Sequence, residues 1–317
     1  MKRYRLYGYT VATDFPFANR LLPGVDEPDL YFGMAQGPLL PDPAFTLVFQ
    51  TEPPLYDGKA ELYVYEGPER SFIFEFTGAT RFQLSPTEIL FEVLDYEWAF
   101  LTEIYFLGIV MSSWLELAGT IALHASSVVI DGSAVAFIGL NQAGKSTLAA
   151  SLMVRGHPLL TDDVLAIRDT AAGFVAFPGY PQMRMWPETA QVFGLDPDKL
   201  PQVHREFDKV RVPIGKGGIG VMREEPASLT SIFILDRRDD TTKVTFGPTA
   251  SGEAMTHVLR TSFAGLVLGG LGVNQERLPK LAELVHQVSI TNLLYPSRMD
   301  GLVPLLEAVE SRVRGRI

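Results

Sequence analysis

The sequence predicts a mixed α/β protein, with an α/β core over residues 96–317 and a smaller β-rich N-terminal domain over residues 1–95. Three observations indicate this fold. Short runs rich in Tyr, Phe, Val and Leu alternate with Gly, Pro and Asp in the first domain, which is typical of strands and turns. Helical spacing of apolar residues begins near Asp95. An apolar strand, a glycine-rich loop, a helix and another strand then follow in the order expected of an α/β core.

Composition and charge argue against several classes of protein. The 317 residues are 47% hydrophobic, which is enough apolar material for a substantial core. The formal net charge of −10 argues against nucleic acid or an anionic membrane as a partner held by bulk charge. The absence of cysteine excludes disulfides, thiolate-bound zinc and cysteine nucleophiles. We therefore expect a cytoplasmic protein, since MKRYRLYGYTVATDF also lacks the apolar run of a signal peptide.

The predicted N-terminal domain contains five apolar runs and no catalytic constellation. Two clusters, LLPGVDEPD and LLPDPAF, have the composition of loops. The predicted strands are RYRLYGYTV, LYFGMA, FTLVFQ, AELYVYEG and SFIFEFTG. The most apolar long segment follows, from Trp98 to Leu123, and Glu103 and Glu116 interrupt it. Because a carboxylate is costly in lipid, we expect a buried amphipathic helix there and no membrane span.

The core begins with a predicted hairpin. The strands ALHASSVVI and SAVAFIGL are joined at Asp131-Gly132, a dipeptide typical of type I′ turns. The second strand leads into the glycine-rich loop and its helix, and HPLLTDDVLAI then reads as one strand carrying two acids. Ser231–Asp236 is predicted to be a buried strand, and GLVPLLEAVESRVRG an amphipathic C-terminal helix.

The loop GLNQAGKST carries the pattern G-x-x-x-x-G-K-[ST]. Glycines let backbone N–H groups converge on an anion, and the helix that follows adds the positive end of its dipole. A lysine at this position supplies a charge to the β- and γ-phosphates of a nucleotide, and the hydroxyl after it can bind Mg²⁺. We therefore predict an ATP and Mg²⁺ site whose nucleotide contacts come from Gly139, Asn141, Gln142, Ala143, Gly144, Lys145, Ser146 and Thr147.

A nucleotide site of this kind also needs an acid, and the sequence offers two candidates. Asp162 and Asp163 are adjacent, and neighbouring carboxylates repel each other unless they share a cation or a proton. Asp236 ends an apolar strand, where an acid is also common as a cap. The adjacent pair is the stronger candidate.

The core segment resembles the catalytic core of bacterial HPr kinase/phosphorylase. The stretch is HASSVVIDGSAVAFIGLNQAGKSTLAASLMVRGHPLLTDDVLAI, and it is most similar to HPr-kinase-like serine kinases, some of which phosphorylate lasso-peptide precursors. The opening YGYTVATDFPFANRLLPG resembles these kinases less specifically. The resemblance implies a P-loop kinase core of the HPr kinase type over residues 96–317. The residues that carry it are His124, Gly144-Lys145-Ser146, Arg155-Gly156-His157 and Asp162-Asp163.

The resemblance also implies roles for these residues. Lys145 and Ser146 would handle phosphate and Mg²⁺. One aspartate would act as general base and the other would bind the metal, with Asp162 favoured as the base and Asp163 as the ligand. His124 would lie beside the phosphate and the acidic pair.

The sequence departs from the family pattern at two places. Thr147 stands where the family commonly has an acid, and the family signature E-[IV]-R-G-[LI]-G is absent. The nearest segment is Gly179–Glu188, in which Arg184 takes the place of the signature arginine. Because that signature is tied to the phosphorylase activity, the departure favours a kinase without phosphorolysis and disfavours HPr itself as substrate.

Further candidates lie outside the main segment. Lys209 in EFDKVRVPI is a candidate contact for the nucleotide or the substrate phosphate, with a solvated strand lysine as the alternative. LLYPSRMDG supplies Tyr295 and Arg298, and Arg298 is either a phosphate contact or part of a salt bridge at a helix start. His157 is expected to be structural.

The resulting hypothesis is ATP-dependent phosphoryl transfer to a serine or threonine hydroxyl of a peptide or protein, with a lasso-peptide precursor as the specific candidate. A homo-oligomer is compatible with the resemblance. One alternative is a small-molecule P-loop kinase, and another is a nucleotide-gated binding module with ATPase activity. Because the sequence has no LSGGQ-like segment and no N-K-x-D motif, an ABC-type ATPase and a GTPase are disfavoured.

Overall fold

The computed structural model describes residues 1–52, 61–204, 207–297 and 302–315. These residues form the mixed α/β structure that the sequence predicts, with two nine-stranded sheets and one three-stranded sheet. The chain divides into two compact units. The first unit consists of Met1–Ala122 with Phe263–Arg277, and the second consists of Leu123–Ser262 with Leu278–Ile317.

The compact units do not divide at the predicted domain boundary between residues 95 and 96. The first unit continues past residue 95 to Ala122, and it also includes a second segment of the chain, Phe263–Arg277. A change from strand to helix therefore does not mark the end of this unit. The assignment of two functional domains stays a prediction.

The large sheet of the first unit has the order β3-β1-β2-β4-β9-β8-β7-β6-β5. The pairs β2–β4 and β4–β9 are parallel, and the other neighbours are antiparallel. A 3₁₀ turn, Pro68–Arg70, lies between two of the strands. The strands are β1 (Lys2–Leu6), β2 (Tyr9–Thr13), β3 (Leu22–Pro23), β4 (Leu30–Met34), β5 (Thr46–Gln50), β6 (Leu62–Glu66), β7 (Phe72–Phe76), β8 (Thr80–Leu84) and β9 (Glu88–Val93).

The predicted strands of this unit are largely confirmed. The runs from LYFGMA to SFIFEFTG each contain one strand, β4 to β7. The run RYRLYGYTV is instead a hairpin, because the chain reverses at Tyr7-Gly8, where both residues have positive φ. Strands β3, β8 and β9 were not predicted, and β3 lies in LLPGVDEPD, which has the composition of a loop. Alternate residues of β8 are buried, as in a strand with one face on the core.

Aromatic side chains form much of the core of the first unit. Phe32, Phe74 and Phe82 are fully buried. The ring of Phe32 stacks on the ring of Phe106, with 3.7 Å between centroids. Burying each of these rings contributes about 1.5–3 kcal/mol relative to leaving it exposed.

The predicted buried helix is confirmed as a helical segment that follows a 3₁₀ turn, Tyr96–Trp98. It comprises α1 (Leu101–Tyr105), a wider π-type turn (Phe106–Val110) and α2 (Met111–Leu117). Within the described residues, no helix is both long and apolar enough to cross a membrane.

The two acids of this segment are buried with partners. Glu103 accepts backbone hydrogen bonds from Ala18 and Asn19, at 3.0 and 2.7 Å. Glu116 pairs with Arg277 at 2.9 Å, both side chains being only 3% exposed, and it also accepts the backbone N–H of Ala122 at 3.0 Å. These contacts explain how an apolar segment tolerates two carboxylates, since a buried charge needs compensation.

The large sheet of the second unit has the order β10-β14-β15-β19-β12-β11-β13, and β21 pairs with both β19 and β20. The pairs β12–β19 and β19–β21 are parallel. A small sheet has the order β16-β18-β17. The strands are β10 (Ile121–His124), β11 (Ser126–Ile130), β12 (Ser133–Ile138), β13 (Leu159–Thr161), β14 (Val164–Thr170), β15 (Gly173–Phe177), β16 (Gln182–Met185), β17 (Gln202–His204), β18 (Phe207–Pro213), β19 (Ala227–Arg238), β20 (Thr245–Pro248) and β21 (Ser289–Pro296).

The hairpin at Asp131-Gly132 is confirmed, but its first predicted strand, ALHASSVVI, is broken at Ala125 into β10 and β11. Strands β11 and β12 are antiparallel, and both turn residues have positive φ, as a type I′ turn requires. The buried strand predicted at Ser231–Asp236 is also present, but β19 is longer and extends from Ala227 to Arg238.

The prediction of one strand over HPLLTDDVLAI is wrong. The chain leaves β13 at Thr161 and enters β14 at Val164, and these strands lie at different places in the sheet order. Asp162 and Asp163 form the crossing, and Asp163 has a φ of 82°. A second crossing, from β10 to β11 at Ala125, lies against the first, because the Ala125 N–H donates to the Asp163 carbonyl at 3.2 Å.

The remaining helices include the predicted C-terminal helix, which is α7. A 3₁₀ turn, Pro197–Lys199, follows α4. The hydrophobic core of the second unit includes residues of α3 and α7 together with Phe137 and Phe233, whose rings stack at 6.0 Å. The helices are α3 (Lys145–Val154), α4 (Pro187–Val192), α5 (Ser251–Arg260), α6 (Asn274–Gln287) and α7 (Leu302–Val313).

Replacing Arg277 by Met is expected to destabilise the protein by about 3–5 kcal/mol, because Glu116 would keep a buried charge without its partner. Urea unfolding followed by circular dichroism measures the change. Lys199→Met is the control, since it removes an exposed ion pair with Asp196 and should leave the unfolding midpoint unchanged. An unchanged midpoint for Arg277→Met would contradict the prediction.

Candidate functional site

The glycine-rich loop joins β12 to α3 and is shaped by two glycines. A Cβ atom at Gly139 would lie 3.1 Å from the carbonyl oxygen of Leu235. Gly144 has a φ of 90°, a conformation that favours glycine, and it immediately precedes α3. The N-cap residue of α3 is Gly144, which has no side chain to cap the helix start. The first N–H groups of the helix and the positive end of its dipole are therefore directed at this loop.

Lys145 begins α3 and folds back over the loop. Its ammonium group donates to the carbonyl oxygens of Gly139 and Leu140, at 3.1 and 3.3 Å. Burial lowers the pKa of Lys145, and the charges of Asp162 and Asp163 act in the opposite direction. The ammonium group is therefore held by the loop, and the charges of the acidic pair act on it.

Asp162 connects the loop helix to two other segments. Its Oδ1 atom accepts hydrogen bonds from Ser126 Oγ at 2.6 Å and from Ser146 Oγ at 2.9 Å, and its Oδ2 atom accepts the backbone N–H of Arg184 at 3.1 Å. The side chain is buried, and burial raises the pKa of Asp162 despite these hydrogen bonds.

Asp163 has different partners. Its carboxylate lies 3.2 Å from His124 Nδ1 and 2.8 Å from Arg184 Nη1. Burial tends to raise the pKa of Asp163, but the charge of Arg184 and the hydrogen bond with His124 outweigh it and hold this pKa well below its usual range. The two neighbouring acids therefore differ in both their contacts and their protonation tendency.

The predicted residues of the loop lie at different depths. Asn141 and Gln142 are exposed, and Gln142 has a positive φ. Ala143 and Thr147 are half-buried. The structure thus brings His124, Lys145, Ser146, Asp162 and Asp163 together, while Asn141 and Gln142 form the outer part of the loop.

The two cationic candidates in the described residues lie in the small sheet. Arg184 is in β16 and contacts both aspartates. Lys209 is in β18, with its ammonium 5.4 Å from the centre of the Trp186 ring. Its charge acts to lower the pKa of Lys145 and of Asp163. The third candidate, Arg298, lies outside the described residues.

Asp236, the alternative acid, has a different partner. Its two carboxylate oxygens each accept a hydrogen bond from the Arg238 guanidinium at 2.9 Å, and the pair is partly exposed at the end of β19. Asp236 lies within β19, two residues before its end, so it is not the strand-terminal cap that the sequence suggested.

Sequence reasoning missed Ser126 and Tyr180. Ser126 donates to Asp162 and follows His124 after the crossing at Ala125. Tyr180 is buried near Arg184, and burial raises the pKa of its phenol. A polar residue after His124 was a visible signal for Ser126, whereas no local pattern distinguishes Tyr180.

The donors in this site suit Mg²⁺ bound jointly with phosphate. Among the described residues, no group of three or more His, Asp or Glu side chains is arranged to hold a metal. Ser146 and Asp162 supply two neighbouring oxygen atoms, and Mg²⁺ is usually held by one or two carboxylates together with substrate phosphates and water. The residues present therefore fit Mg²⁺ as a partner of a nucleotide.

Arg155 and His157 contact the C-terminal helix. Both bind Glu310 of α7, Arg155 with two hydrogen bonds of 2.8 and 3.0 Å and His157 with one of 3.0 Å. These contacts agree with the prediction that His157 is structural.

Comparison with known proteins supports the resemblance. The chain is 43% identical over 60 residues to the HPr kinase/phosphorylase of Exiguobacterium sibiricum, a match that covers 19% of this chain and 19% of that protein. The predicted resemblance to HPr kinase/phosphorylase is confirmed. The HPr-kinase-like match spans about a fifth of the length of this curated relative. No family model matches the chain.

A solved structure with a related name also matches. It is the Hpr(Ser) kinase/phosphatase from Coxiella burnetii, with 14% identity, a TM-score of 0.29, and coverage of 62% of this chain and 99% of the other. Because this TM-score is low, the resemblance depends on the sequence match.

Replacing Glu310 by Gln is expected to destabilise the protein by about 1–2 kcal/mol at pH 7, through weaker bonds to Arg155 and His157. The bond from Arg155 lowers the pKa of Glu310 below its ordinary value of 4.5, although burial opposes the shift. The stabilisation is therefore present above pH 4.5 and lost as pH falls through the lowered pKa.

Thermal unfolding of wild type and Glu310→Gln between pH 7 and pH 3 tests this expectation. The difference in unfolding free energy should be constant at neutral pH and shrink at acidic pH. Glu307→Gln, an exposed change on the same helix, is the control. If the difference in unfolding free energy between wild type and Glu310→Gln grows at acidic pH, the stabilising role of ionised Glu310 is contradicted.

Proposed function

We propose that this protein transfers the γ-phosphoryl group of ATP to a serine or threonine hydroxyl of a peptide or protein. The observation that carries the proposal is the hydrogen bond of 2.9 Å between Ser146 and Asp162, which joins the phosphate-binding motif to the acidic pair. The name of the curated relative, HPr kinase/phosphorylase, supports the same reaction class. Phosphoryl transfer depends mainly on positioning and on stabilisation of charge, and this site offers groups for both.

The loop and the start of α3 are proposed to act as a P-loop that binds the β- and γ-phosphates. The uncapped helix start offers N–H donors, and Lys145 brings a positive charge to the same place. Its contacts with Gly139 and Leu140 hold the ammonium group at the loop. Restricting a side chain in this way reduces the entropy cost of binding.

Ser146 and Asp162 are proposed to hold Mg²⁺. When bound, the ion would neutralise charge on the phosphates. This proposal reverses the roles that the family resemblance suggested, in which Asp162 was favoured as the base and Asp163 as the ligand. The reason for the change is that Ser146, the predicted metal-binding hydroxyl, contacts Asp162.

Asp163 is proposed as the group that accepts the proton of the acceptor hydroxyl. His124 and Arg184 hold its two carboxylate oxygens from different sides, which fixes the orientation of the carboxylate. A strong base is not needed, because the transition state of phosphoryl transfer is loose and the proton leaves the hydroxyl late. Arg184 and Lys209 would add positive charge near the transferring group.

The acceptor is proposed from the sequence resemblance. A lasso-peptide precursor is the specific candidate, and a kinase without phosphorolysis is favoured because the glycine-rich family signature is absent. ATP as the nucleotide and a homo-oligomer are proposed on the same basis, and a cytoplasmic location is proposed from the absence of cysteine.

Transfer of labelled phosphate decides among the possible functions. The protein would be incubated with γ-labelled ATP, Mg²⁺ and either serine-containing peptides or a panel of hydroxylated metabolites. Label on a peptide supports the proposal, and label only on a metabolite indicates a small-molecule kinase. Label found only as free phosphate indicates a nucleotide-gated binding module.

Replacing Lys145 by Ala is expected to lower the rate of transfer at least about 100-fold, since charge stabilisation at the phosphates is lost. The rate is measured by intact-mass analysis of the acceptor, and circular dichroism verifies the fold. Asp236→Asn is the control and should retain the wild-type rate, because Asp236 pairs with Arg238 instead. Wild-type turnover by folded Lys145→Ala would refute the assignment.

Two asparagine variants separate the proposed roles of the acids. Asp162→Asn should raise the Mg²⁺ concentration needed for half-maximal activity at least about tenfold, because a carboxylate ligand is lost. Asp163→Asn should lower kcat about 100-fold or more while leaving nucleotide affinity within about threefold of wild type. Mg²⁺ titrations at saturating ATP provide the half-maximal Mg²⁺ concentration and kcat. ATP titrations at saturating Mg²⁺ provide the nucleotide affinity. If Asp163→Asn instead raises the Mg²⁺ requirement and Asp162→Asn instead lowers kcat, Asp162 is the base and Asp163 the metal ligand, as the resemblance implies.

A further inference from the structure

Tyr295 contacts the glycine-rich loop that joins β12 to α3. It is near the end of β21, its side chain belongs to the hydrophobic core of the second unit, and the residue is 6% exposed. Its hydroxyl donates a hydrogen bond to the carbonyl oxygen of Ala143, inside the loop. Burial raises the pKa of Tyr295 to about 12, with Arg237 acting in the opposite direction. The phenol therefore keeps its proton, and can donate, at any pH near neutrality.

The same hydroxyl also restricts the residue that follows Ala143. A Cβ atom at Gly144 would lie 2.5 Å from Tyr295 Oη, closer than side-chain carbons come to other atoms. Gly144 also has a φ of 90°, which disfavours any residue with a side chain. Glycine is therefore required here both by the backbone conformation and by Tyr295.

The bond to Ala143 has a consequence for the neighbouring amide. The peptide between Ala143 and Gly144 is planar and trans, so its carbonyl and its N–H point in opposite directions. When Tyr295 holds the Ala143 carbonyl on its own side, the Gly144 N–H must point away from Tyr295. This N–H belongs to the glycine directly before Lys145, where a phosphate loop presents its amides to the anion.

We propose that Tyr295 is a positioning residue for nucleotide binding, whose hydroxyl fixes the Ala143–Gly144 peptide so that the Gly144 N–H faces the phosphates. This inference rests on the proposed function. A phenylalanine ring would pack in the core as well as a tyrosine ring, so packing alone does not call for a hydroxyl. The hydroxyl is needed to hold a carbonyl that would otherwise be free to turn toward the anion and repel it.

The test begins with Tyr295→Phe, which keeps the ring and removes the hydroxyl. The dissociation constant for ATP·Mg²⁺, measured by calorimetry, should rise about three- to tenfold, the effect of losing one hydrogen bond that orients the loop. The KM for ATP should rise by a similar factor, while kcat at saturating ATP stays within about twofold. A purely structural role would change the melting temperature without this separation of KM from kcat.

Tyr105→Phe is the matched control. Tyr105 lies in the first unit, where its ring stacks on Phe76 at 3.8 Å, and burial raises its pKa to about 12 as well. Removing this hydroxyl alters a half-buried tyrosine that belongs to the first unit, whereas the loop belongs to the second. It should leave the affinity for ATP·Mg²⁺ unchanged.

A double-mutant cycle with Gly144→Ala makes the test specific. The strain of a positive φ is the same in both backgrounds and cancels, whereas the clash with the hydroxyl is present only with Tyr295. Gly144→Ala should therefore weaken ATP·Mg²⁺ binding at least about threefold less in the Tyr295→Phe background than in wild type. Melting curves verify that each variant is folded, and Tyr295→Phe alone remains informative if Gly144→Ala does not fold.

The outcomes separate this inference from the proposed function. If wild type binds and transfers phosphate but Tyr295→Phe has the same affinity and KM, only the role of Tyr295 is refuted. If wild type binds ATP·Mg²⁺ and Tyr295→Phe weakens it as expected, but no phosphate is transferred, the role of Tyr295 stands and the kinase function fails. If wild type does not bind ATP·Mg²⁺, both are refuted.

Discussion

The carboxylate of Asp162 is the contact on which the rest of the site depends. One of its oxygens accepts hydrogen bonds from Ser126 and Ser146, and the other accepts the backbone N–H of Arg184. These donors belong to β11, α3 and β16, so one side chain connects three elements that are far apart in the chain. Because Asp162 is buried, each bond is electrostatically stronger than it would be in water, and the loss of one would leave a charge poorly compensated.

The difference between the two neighbouring acids follows from the backbone. Asp162 and Asp163 form a crossing between strands, and the positive φ of Asp163 turns the chain between them. The first carboxylate consequently reaches Ser146 at the start of α3, and the second reaches His124 and Arg184. Two residues of the same type thus acquire different environments, which is how a protein can give similar groups different chemical roles.

Local patterns predicted the parts of the fold whose causes are local. The hairpin at Asp131-Gly132, the loop before α3 and the helix α7 all depend on residues within a few positions of one another. The prediction failed at the acidic pair, which reads as the middle of one apolar strand. The break between β13 and β14 depends on the pairing of β13 with β11 and on the hydrogen bond from the Ala125 N–H to the Asp163 carbonyl. The pattern of apolar residues in a strand contains no information about such distant partners.

The sequence by itself determined that a glycine-rich loop opens a helix with Lys145 and Ser146 in its first turn, because this geometry depends only on adjacent residues and their allowed backbone angles. Only the tertiary structure decided that Asp162 is the acid that contacts Ser146 and that Arg184 contacts both acids. It also decided that the Tyr295 hydroxyl donates to the Ala143 carbonyl in the loop. The physical reason is that such contacts join residues far apart in the chain. Their partners are chosen by the packing of strands and helices around a common core and not by local preference.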